Sequence, residues 1–341
     1  MLKHYKEFEN DFNDFKLPFV KNNKGISFAN IECGFDIETT SMLIDGEKFA
    51  FMYVWAFGIG FSNDIYYGRT WNEFSEFTKI LSSMFNLSQN ERLVCYIHNL
   101  GYEFQFMRKY FNWVNVFSAS ERKPIKALTD LGIEFKDSYI LSGYSLANTA
   151  KNLSHHTIKK LTGELDYSLI RTPQTPLTEN EIAYCINDIQ IILAYINEQI
   201  TICGDISQIP NTNTGRVRKF VRDNCFYKQA NGKKGGFRQY AKYHKVMQDL
   251  TLDNDTYKQL KRAFMGGFTH ANAKYVGKVL ENVTSIDFTS SYPSVMLSEK
   301  FPMSRFKSVN ITKLSALDSL CERYAVIFDI QLTGVKPKFT H

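Results

Sequence analysis

The sequence predicts an α/β fold, because segments with strand periodicity alternate with segments of helix periodicity along its N-terminal part. Residues 31–38 alternate between apolar and polar side chains, as a half-buried strand does. Residues 71–85 place apolar side chains three and four positions apart, as an amphipathic helix does, and residues 92–97 return to a short apolar strand.

The remaining elements continue this alternation. Strands are expected at residues 50–61 and 64–67, and helices at residues 103–110, 146–161 and 179–200. The last helix has a clear start, since Thr178 is a suitable N-cap and Glu181, three positions later, completes a capping box. A polar linker follows this helix and places a domain boundary near residue 208. The predicted domains therefore comprise residues 1–208 and 209–341.

The second part opens with an expected basic helix from about Thr214. Residues 216–245 contain ten lysines and arginines against a single acid, Asp223. Such a run is typical of a solvated face, and it also suits a surface that binds a polyanion. Two strands are expected further on, at residues 283–288 and 324–332.

The composition argues against several classes of protein. The six cysteines are far apart and form no Cys-x-x-Cys pair, which argues against a zinc site and favours reduced thiols in an intracellular protein. The N-terminus has no apolar h-region, and the longest apolar run, residues 50–61, is too short to span a bilayer. We therefore expect a cytoplasmic protein without membrane contact, whose net charge of +6 suits a nucleic-acid partner.

Two carboxylates on the first strand form a candidate metal site. Asp36 and Glu38 are two positions apart, so their side chains point to the same face of the strand. Neighbouring carboxylates repel one another unless a cation lies between them, and Mg²⁺ prefers oxygen ligands. Taken alone, an Asp-x-Glu pair is more often a pair of exposed charges.

A second pair lies on the capped helix, where Tyr184 and Asp188 are about one turn apart and share a face. Tyr184 alone could equally be an ordinary half-buried aromatic.

A third candidate segment, residues 98–103, follows a strand. In it Glu103 could complete a metal cluster, Asn99 could bind a nucleic-acid end, and Tyr102 could stack on a base. The simpler interpretation of this segment is a strand-to-helix turn with an asparagine cap.

In this order, the segments resemble the DEDDy proofreading exonucleases of family B DNA polymerases, and more narrowly the protein-primed polymerases of bacteriophages and linear plasmids. The matching segments are residues 35–40 (FDIETT), 98–103 (HNLGYE), 165–167 (LDY) with 184–188 (YCIND), and 285–293 (SIDFTSSYP). The last of these resembles the polymerase motif that begins with a metal-binding aspartate and ends in Tyr-Pro. Gly266 and Gly267 lie where the family has a Tyr-x-Gly-Gly element between its domains.

The resemblance implies a ribonuclease H-like exonuclease domain, with a mixed sheet flanked by helices, followed by the beginning of an α+β palm. It implies 3′→5′ hydrolysis of single-stranded DNA ends with two Mg²⁺ ions, or Mn²⁺. The implied catalytic residues are Asp36, Glu38, Glu103, Tyr184 and Asp188, and all four acids among them would hold the ions. The implied single-strand-binding residues are Thr39, His98, Asn99, Tyr102, Phe106, Ser138 and Tyr139.

In the second domain, the resemblance implies a DNA-directed DNA polymerase. Asp287 would be a metal ligand, and the implied nucleotide-binding residues are Asp287, Ser290, Ser291 and Tyr292. The later fingers motif and the Asp-Thr-Asp hairpin of the family do not occur in the sequence, so we expect polymerisation only if a C-terminal half is supplied. The implied partners are primer–template DNA, dNTPs, a terminal protein primer and a separate C-terminal polymerase half.

The sequence departs from the family at two positions of the exonuclease domain. The second motif usually ends in Asp, and here it ends in Glu103. A family lysine that supports the cleaved phosphate is replaced by Thr162, although Lys159 and Lys160 are close, and which of them assists stays open. The alternative function is therefore a catalytically inactive module that binds single-stranded DNA or a terminal protein, or half of a split polymerase.

Overall fold

The structure is a computed structural model. It describes the chain except residues 61–63, 162–168, 227–236, 265, 268, 270–271, 330, 332, 335 and 337–341. Two compact units divide the chain, Met1–Asp223 and Asn224–His341. The domain boundary near residue 208 stays a prediction.

A mixed sheet forms the centre of the first unit. Its strands are β1 Leu2–His4, β2 Phe19–Lys21, β3 Ser27–Ala29, β4 Cys33–Ile44, β5 Glu47–Ile59, β6 Ile65–Gly68, β7 Glu91–Ile97, β8 Trp113–Ser120, β9 Lys123–Thr129 and β10 Ile133–Asp137. They lie in the order β1-β6-β5-β4-β7-β10-β9-β8, with β3 also paired to β7 and β2 to β3. Strands β4, β7 and β10 run parallel to one another, whereas β5 is antiparallel to β4 and β6, and β9 is antiparallel to β10.

Helices cover both faces of this sheet. The helices of the first unit are α1 Phe8–Phe12, α2 Trp71–Met84, α3 Leu100–Met107, α4 Ser138–Ser142, α5 Leu146–Lys151, α6 Glu179–Cys203 and α7 Asn213–Val221. Helix α2 buries Phe74 and Phe77 in one core cluster, and α6 buries Ile192 and Ile196 in another. This arrangement confirms the predicted α/β class with a mixed sheet flanked by helices.

The start of α6 follows the predicted capping chemistry. The Thr178 hydroxyl accepts a hydrogen bond from the Glu181 backbone N–H, and the Glu181 carboxylate accepts one from the Thr178 N–H at 2.8 Å. Two otherwise unpaired backbone donors are thereby satisfied, which fixes the position of the first turn of the helix.

Two glycines let α6 approach the sheet closely. Gly34 of β4 and Gly58 of β5 face each other in the strand register. A Cβ atom at Gly58 would lie 2.6 Å from Ile189 Cγ2, and one at Gly34 would lie 3.1 Å from Ile192 Cγ2. Any side chain at these positions would push the helix outward. The glycines therefore bring the helix turn that contains Asp188 close to β4.

The predicted helix at residues 146–161 is too long, since α5 ends at Lys151 and residues 152–161 form no helix. We call residues 152–161 the connecting segment. Backbone N–H groups of this segment donate hydrogen bonds to a side chain of α6. The Glu198 carboxylate accepts hydrogen bonds from the N–H groups of Ser154 and His155. These side-chain bonds take the place of the intrahelical bonds that the sequence pattern suggested.

The second unit contains helices α8 Phe237–Asp249, α9 Asn254–Ala263, α10 Ser291–Ser298 and α11 Leu314–Cys321. The strand predicted at residues 283–288 is not formed, nor is one formed over the described residues of 324–332. Strands are held by hydrogen bonds to a neighbouring strand, and the described part of this unit provides none. Val283, Ile286 and Phe288 are accordingly 71%, 87% and 83% exposed.

No helix within the described residues has the length and apolar character needed to cross a membrane.

Candidate active site

Strand β4 and helix α6 bring three carboxylates together. Asp36 and Glu38 lie on the same face of β4, and Asp188 lies on the turn of α6 that packs over the two glycines. One carboxylate oxygen of each residue lies within 4.8 Å of the others. Among the described residues, no other group of three acidic, histidine or cysteine side chains has this spacing.

Burial and mutual repulsion raise the pKa values of these carboxyl groups. For Asp36, burial is the largest cause, and the charges of Asp188, Glu38 and Glu103 raise the pKa further, well above its ordinary value. Burial, followed by repulsion from Asp188, raises the pKa of Glu38 to about 7. The site therefore contains more negative charge than it can hold without a positive partner.

One positive partner is Lys160, the next-to-last residue of the connecting segment. Its ammonium forms an ion pair with Asp188 Oδ1 and lies 4.5 Å from the centroid of the Tyr184 ring. Burial raises the pKa of Asp188, and Lys160 partly offsets that rise. Of the two lysines that the sequence left open, Lys160 is thus the one that contacts the carboxylates; Thr162, at the position of the family lysine, lies outside the described residues.

Glu103 lies next to this group but not in it. It occupies the first turn of α3, is 4% exposed, and is absent from the three-carboxylate cluster. Its Oε2 atom is buried without a hydrogen-bond partner. Burial raises the pKa of Glu103 well above its ordinary value, and the charges of Asp137 and Glu38 add to the rise. Burial therefore disfavours the ionised form of this carboxyl group unless a cation reaches it.

Sequence reasoning missed Asp137, which ends β10. Its carboxylate accepts a hydrogen bond from the Ile140 N–H at 2.8 Å and so caps α4. Burial raises the pKa of Asp137 to about 6 despite hydrogen bonds from four backbone N–H groups. The strand pairing explains its position, because β7 and β10 are parallel neighbours and polar residues at their C-terminal ends meet at the same sheet edge.

Three of the predicted strand-binding residues contact one another next to Glu38 on β4. The Thr39 and Tyr102 hydroxyls lie 2.6 Å apart, and the rings of Tyr102 and Phe106 are 5.1 Å apart. Tyr102 is 42% exposed, so part of this side chain can be reached by a ligand. Asn99 adopts a left-handed conformation with φ 81° at the start of α3.

A second group of the predicted residues is joined through His98. His98 Nδ1 and Ser138 Oγ lie 3.2 Å apart, and the rings of His98 and Tyr139 meet edge to face at 5.6 Å. Burial, followed by the charge of Lys160, lowers the pKa of His98 to about 4. The imidazole is therefore neutral at physiological pH and available as a hydrogen-bonding group rather than as a charge.

The remaining predicted residues lie in the second unit. Asp287 and Ser290 precede α10, where Ser290 has a left-handed φ of 52°, and Ser291 and Tyr292 begin the helix. Tyr292 is 75% exposed. Asp287 belongs to no metal-binding group among the described residues. The segment 165–167 lies outside the described residues.

The three clustered carboxylates suit a divalent metal ion. Their oxygen donors are those that Mg²⁺ and Mn²⁺ prefer, and their raised pKa values show that a cation would relieve repulsion already present in the site.

Several known proteins are similar to this chain. The DNA polymerases of Bacillus phage B103 and Bacillus phage M2 are 25% and 24% identical to it over 294 residues. Each alignment covers 78% of this chain and 44% of the relative, so the chain spans less than half the length of these curated relatives.

Among solved structures, phi29 DNA polymerase complexed with single-stranded DNA has a TM-score of 0.51 at 19% identity, over 72% of this chain and 41% of that one. The post-translocation complex of phi29 DNA polymerase with primer-template DNA gives 0.50 at 17%, with the same two coverages. These likenesses show the fold. The profile of type B DNA polymerases, organellar and viral, matches residues 159–338, more than half of the 341 residues. The chain therefore belongs to the organellar and viral type B DNA polymerases.

Proposed function

We propose that the first unit is a 3′→5′ exonuclease acting on single-stranded DNA ends, and that the chain is the N-terminal part of a protein-primed family B DNA polymerase. The observation that carries the proposal is the convergence of Asp36, Glu38 and Asp188, which come from two elements far apart in sequence, within 4.8 Å. The match to phage DNA polymerases supplies the substrate class.

In this proposal, Asp36, Glu38 and Asp188 hold two Mg²⁺ or Mn²⁺ ions. When bound, such ions would supply an activated water and charge stabilisation for the departing 3′ oxygen. The Tyr184 hydroxyl orients the attacking water, and Lys160 supports the cleaved phosphate, since its ammonium already lies beside Asp188. Glu103, on the neighbouring helix α3, would be the fourth acid that holds the ions.

The strand end would be held by the predicted strand-binding residues. Tyr102 and Phe106 stack on unpaired bases, a contact of about 1–3 kcal/mol per base that does not depend on sequence. Thr39 and Asn99 supply hydrogen bonds, and neutral His98 and exposed Tyr139 contact the backbone and sugar. Ser138, which is 1% exposed, acts indirectly by orienting His98. Binding without sequence preference suits the removal of mispaired ends.

For the second unit, we propose that Asp287 holds a metal ion and that Ser290, Ser291 and Tyr292 bind the incoming dNTP. The proposed partners are primer–template DNA, a terminal protein and a polypeptide that carries the remaining polymerase motifs. They would meet the chain in the cytoplasm of a cell infected by a phage. The similarity of residues 159–338 to type B polymerases supports this part of the proposal.

Incubation of the chain with 5′-labelled single-stranded DNA and Mg²⁺ tests the nuclease directly. We expect stepwise shortening that EDTA stops, loss of all activity in Asp36→Ala, and a residual rate in Tyr184→Phe. An intact substrate after long incubation with Mg²⁺ and with Mn²⁺ would refute the nuclease.

A second function is favoured by one observation, the separation of Glu103 from the other three acids. A site that lacks its fourth carboxylate would bind single strands without cutting them. Tight binding of a labelled oligonucleotide, together with no metal-dependent shortening, would identify this inactive binding module.

A further inference from the structure

Asn187 lies directly before Asp188 on α6 and is 9% exposed. Its side-chain Oδ1 accepts a hydrogen bond from the Leu161 N–H at 2.9 Å, and its Nδ2 donates one to the Lys159 carbonyl at 3.0 Å. The carboxamide thus bonds to the backbone on both sides of Lys160, as the amide groups of a neighbouring strand would.

This pair of bonds determines where the Lys160 side chain can reach. Residue 160 is fixed at both of its peptide groups, and its ammonium lies on Asp188 and over the Tyr184 ring. The ammonium is therefore placed on a carboxylate oxygen that a divalent cation would also need. Asp188 cannot give this oxygen fully to both cations, because the two positive charges repel one another.

We infer that Asn187 is a positioning residue that keeps Lys160 on Asp188, where the lysine competes with a divalent cation for the carboxylate cluster. The inference rests on the proposed function for its biological meaning, since it concerns the same site. Independently of that function, the free energy of cation binding includes the cost of displacing Lys160 from Asp188, and Asn187 raises that cost.

The inference is tested with the full chain and Mn²⁺ alone, by titration calorimetry and by electron paramagnetic resonance of free Mn²⁺, without DNA. Lys160→Met removes the competing charge, and we expect it to bind Mn²⁺ about tenfold more tightly than the parent. Asn187→Leu keeps the side-chain volume but loses both hydrogen bonds, and we expect at least about threefold tighter binding. The double variant should bind no more tightly than Lys160→Met, because Asn187 acts through the lysine.

A matched control is Asn197→Leu on the same helix. Asn197 also links α6 to the connecting segment, with its Oδ1 3.4 Å from His156 Nε2, but it lies more than two turns from Asp188. We expect the parent's Mn²⁺ affinity in this variant. Asn187→Ser, which is too short to reach the segment, replaces Asn187→Leu if the latter does not fold.

A merely structural role for Asn187 predicts the opposite sign, since a disordered site binds Mn²⁺ more weakly. Unchanged or weaker binding in both Asn187 variants, or gains that add in the double variant, would overturn the inference. Failure of the nuclease is a separate outcome: the parent would leave DNA intact while the order of Mn²⁺ affinities stayed as expected.

Discussion

The Thr39 and Tyr102 hydroxyls lie 2.6 Å apart and join β4, which carries two of the clustered carboxylates, to α3. The bond holds the Tyr102 ring beside the site while 42% of the residue stays exposed. A base stacked on this ring would therefore be held at a fixed distance from Asp36 and Glu38.

Tyr102→Ala is expected to weaken binding of a short oligo(dT) by about 1–3 kcal/mol, because a stacking surface is lost. Tyr102→Phe keeps the ring and loses only a hydrogen bond, so its loss should be about 1 kcal/mol or less. Fluorescence anisotropy in EDTA, which prevents cleavage, measures both. Tyr110→Ala is the control, since Tyr110 is an exposed tyrosine that stacks on Trp71 instead. Equal losses in Tyr102→Ala and Tyr110→Ala would contradict the assignment.

Asp36→Asn is expected to stabilise the metal-free protein at pH 8, by about 1 kcal/mol or more, because it removes a buried carboxyl group whose ionisation is opposed by burial and by the neighbouring carboxylates. The same change should abolish stabilisation by Mn²⁺, which for the parent amounts to about 2.7 kcal/mol when the free metal is 100 times its Kd. Denaturant unfolding with and without Mn²⁺ gives both quantities.

The control for Asp36→Asn is Asp14→Asn, at an exposed acid in the same unit, which should change neither quantity by more than about 0.5 kcal/mol. If the metal-free Asp36→Asn protein were less stable than the parent, repulsion among the carboxylates would not destabilise the folded protein.

The pH dependence of metal-free stability follows from the same groups. Because the folded pKa values of Asp36 and Glu38 lie above their ordinary values, the folded state binds more protons than the unfolded state between about pH 4 and pH 7. The free energy of unfolding should therefore fall as the pH rises through this window, by up to about 1.4 kcal/mol per pH unit for each group.

Unfolding in EDTA from pH 4 to pH 8 measures this slope, and the double variant Asp36→Asn/Glu38→Gln isolates it by difference. We expect the parent minus variant difference to become steadily more negative as the pH rises, and saturating Mn²⁺ to reverse that trend, since the metal binds the deprotonated carboxylates. A flat difference would mean that the two carboxyl groups have ordinary pKa values.

Local patterns were enough to predict the parts of the site that lie on regular elements. The two-residue spacing of Asp36 and Glu38 and the capping box of Thr178 and Glu181 each specify a direction for nearby side chains, and the structure has both. The convergence of Asp36 and Glu38 with Asp188 could not be predicted from residue spacing. The approach of α6 to the sheet depends on Gly58, where a Cβ atom would meet Ile189.

Other features depend on contacts between distant segments. Residues 152–161 have a helical pattern, yet Glu198 and Asn187 bind their backbone and exclude a helix. The contact of Lys160 with Asp188 depends on this non-helical conformation, so it could not be predicted from a local sequence pattern. Residues 283–288 likewise have the sequence pattern of a strand, but the pattern alone does not form one, because a strand must also pair with a neighbouring strand.

A last prediction concerns Glu134, the second residue of β10, whose side chain is only 2% exposed. Its carboxylate binds Arg92 at 2.6 Å and lies 3.5 Å from the Lys136 ammonium, which is itself 9% exposed. Burial alone would raise the pKa of Glu134, but Lys136, Lys126 and Arg92 together lower it. The carboxylate is thus the shared counter-charge of three cations, and its stabilising contribution is present above about pH 4.5 and lost as the pH falls through its lowered pKa.

Glu134→Gln should therefore reduce the free energy of unfolding at pH 7 by about 3–5 kcal/mol, because Lys136 is left buried without its counter-charge. Adding Lys136→Met should recover part of this loss, since the uncompensated charge is then removed. Mn²⁺ affinity should stay at the parent's value in the double variant, because neither residue touches the carboxylate cluster. A Glu134→Gln protein within about 1 kcal/mol of the parent would show that the three cations are accommodated by solvent rather than by this carboxylate.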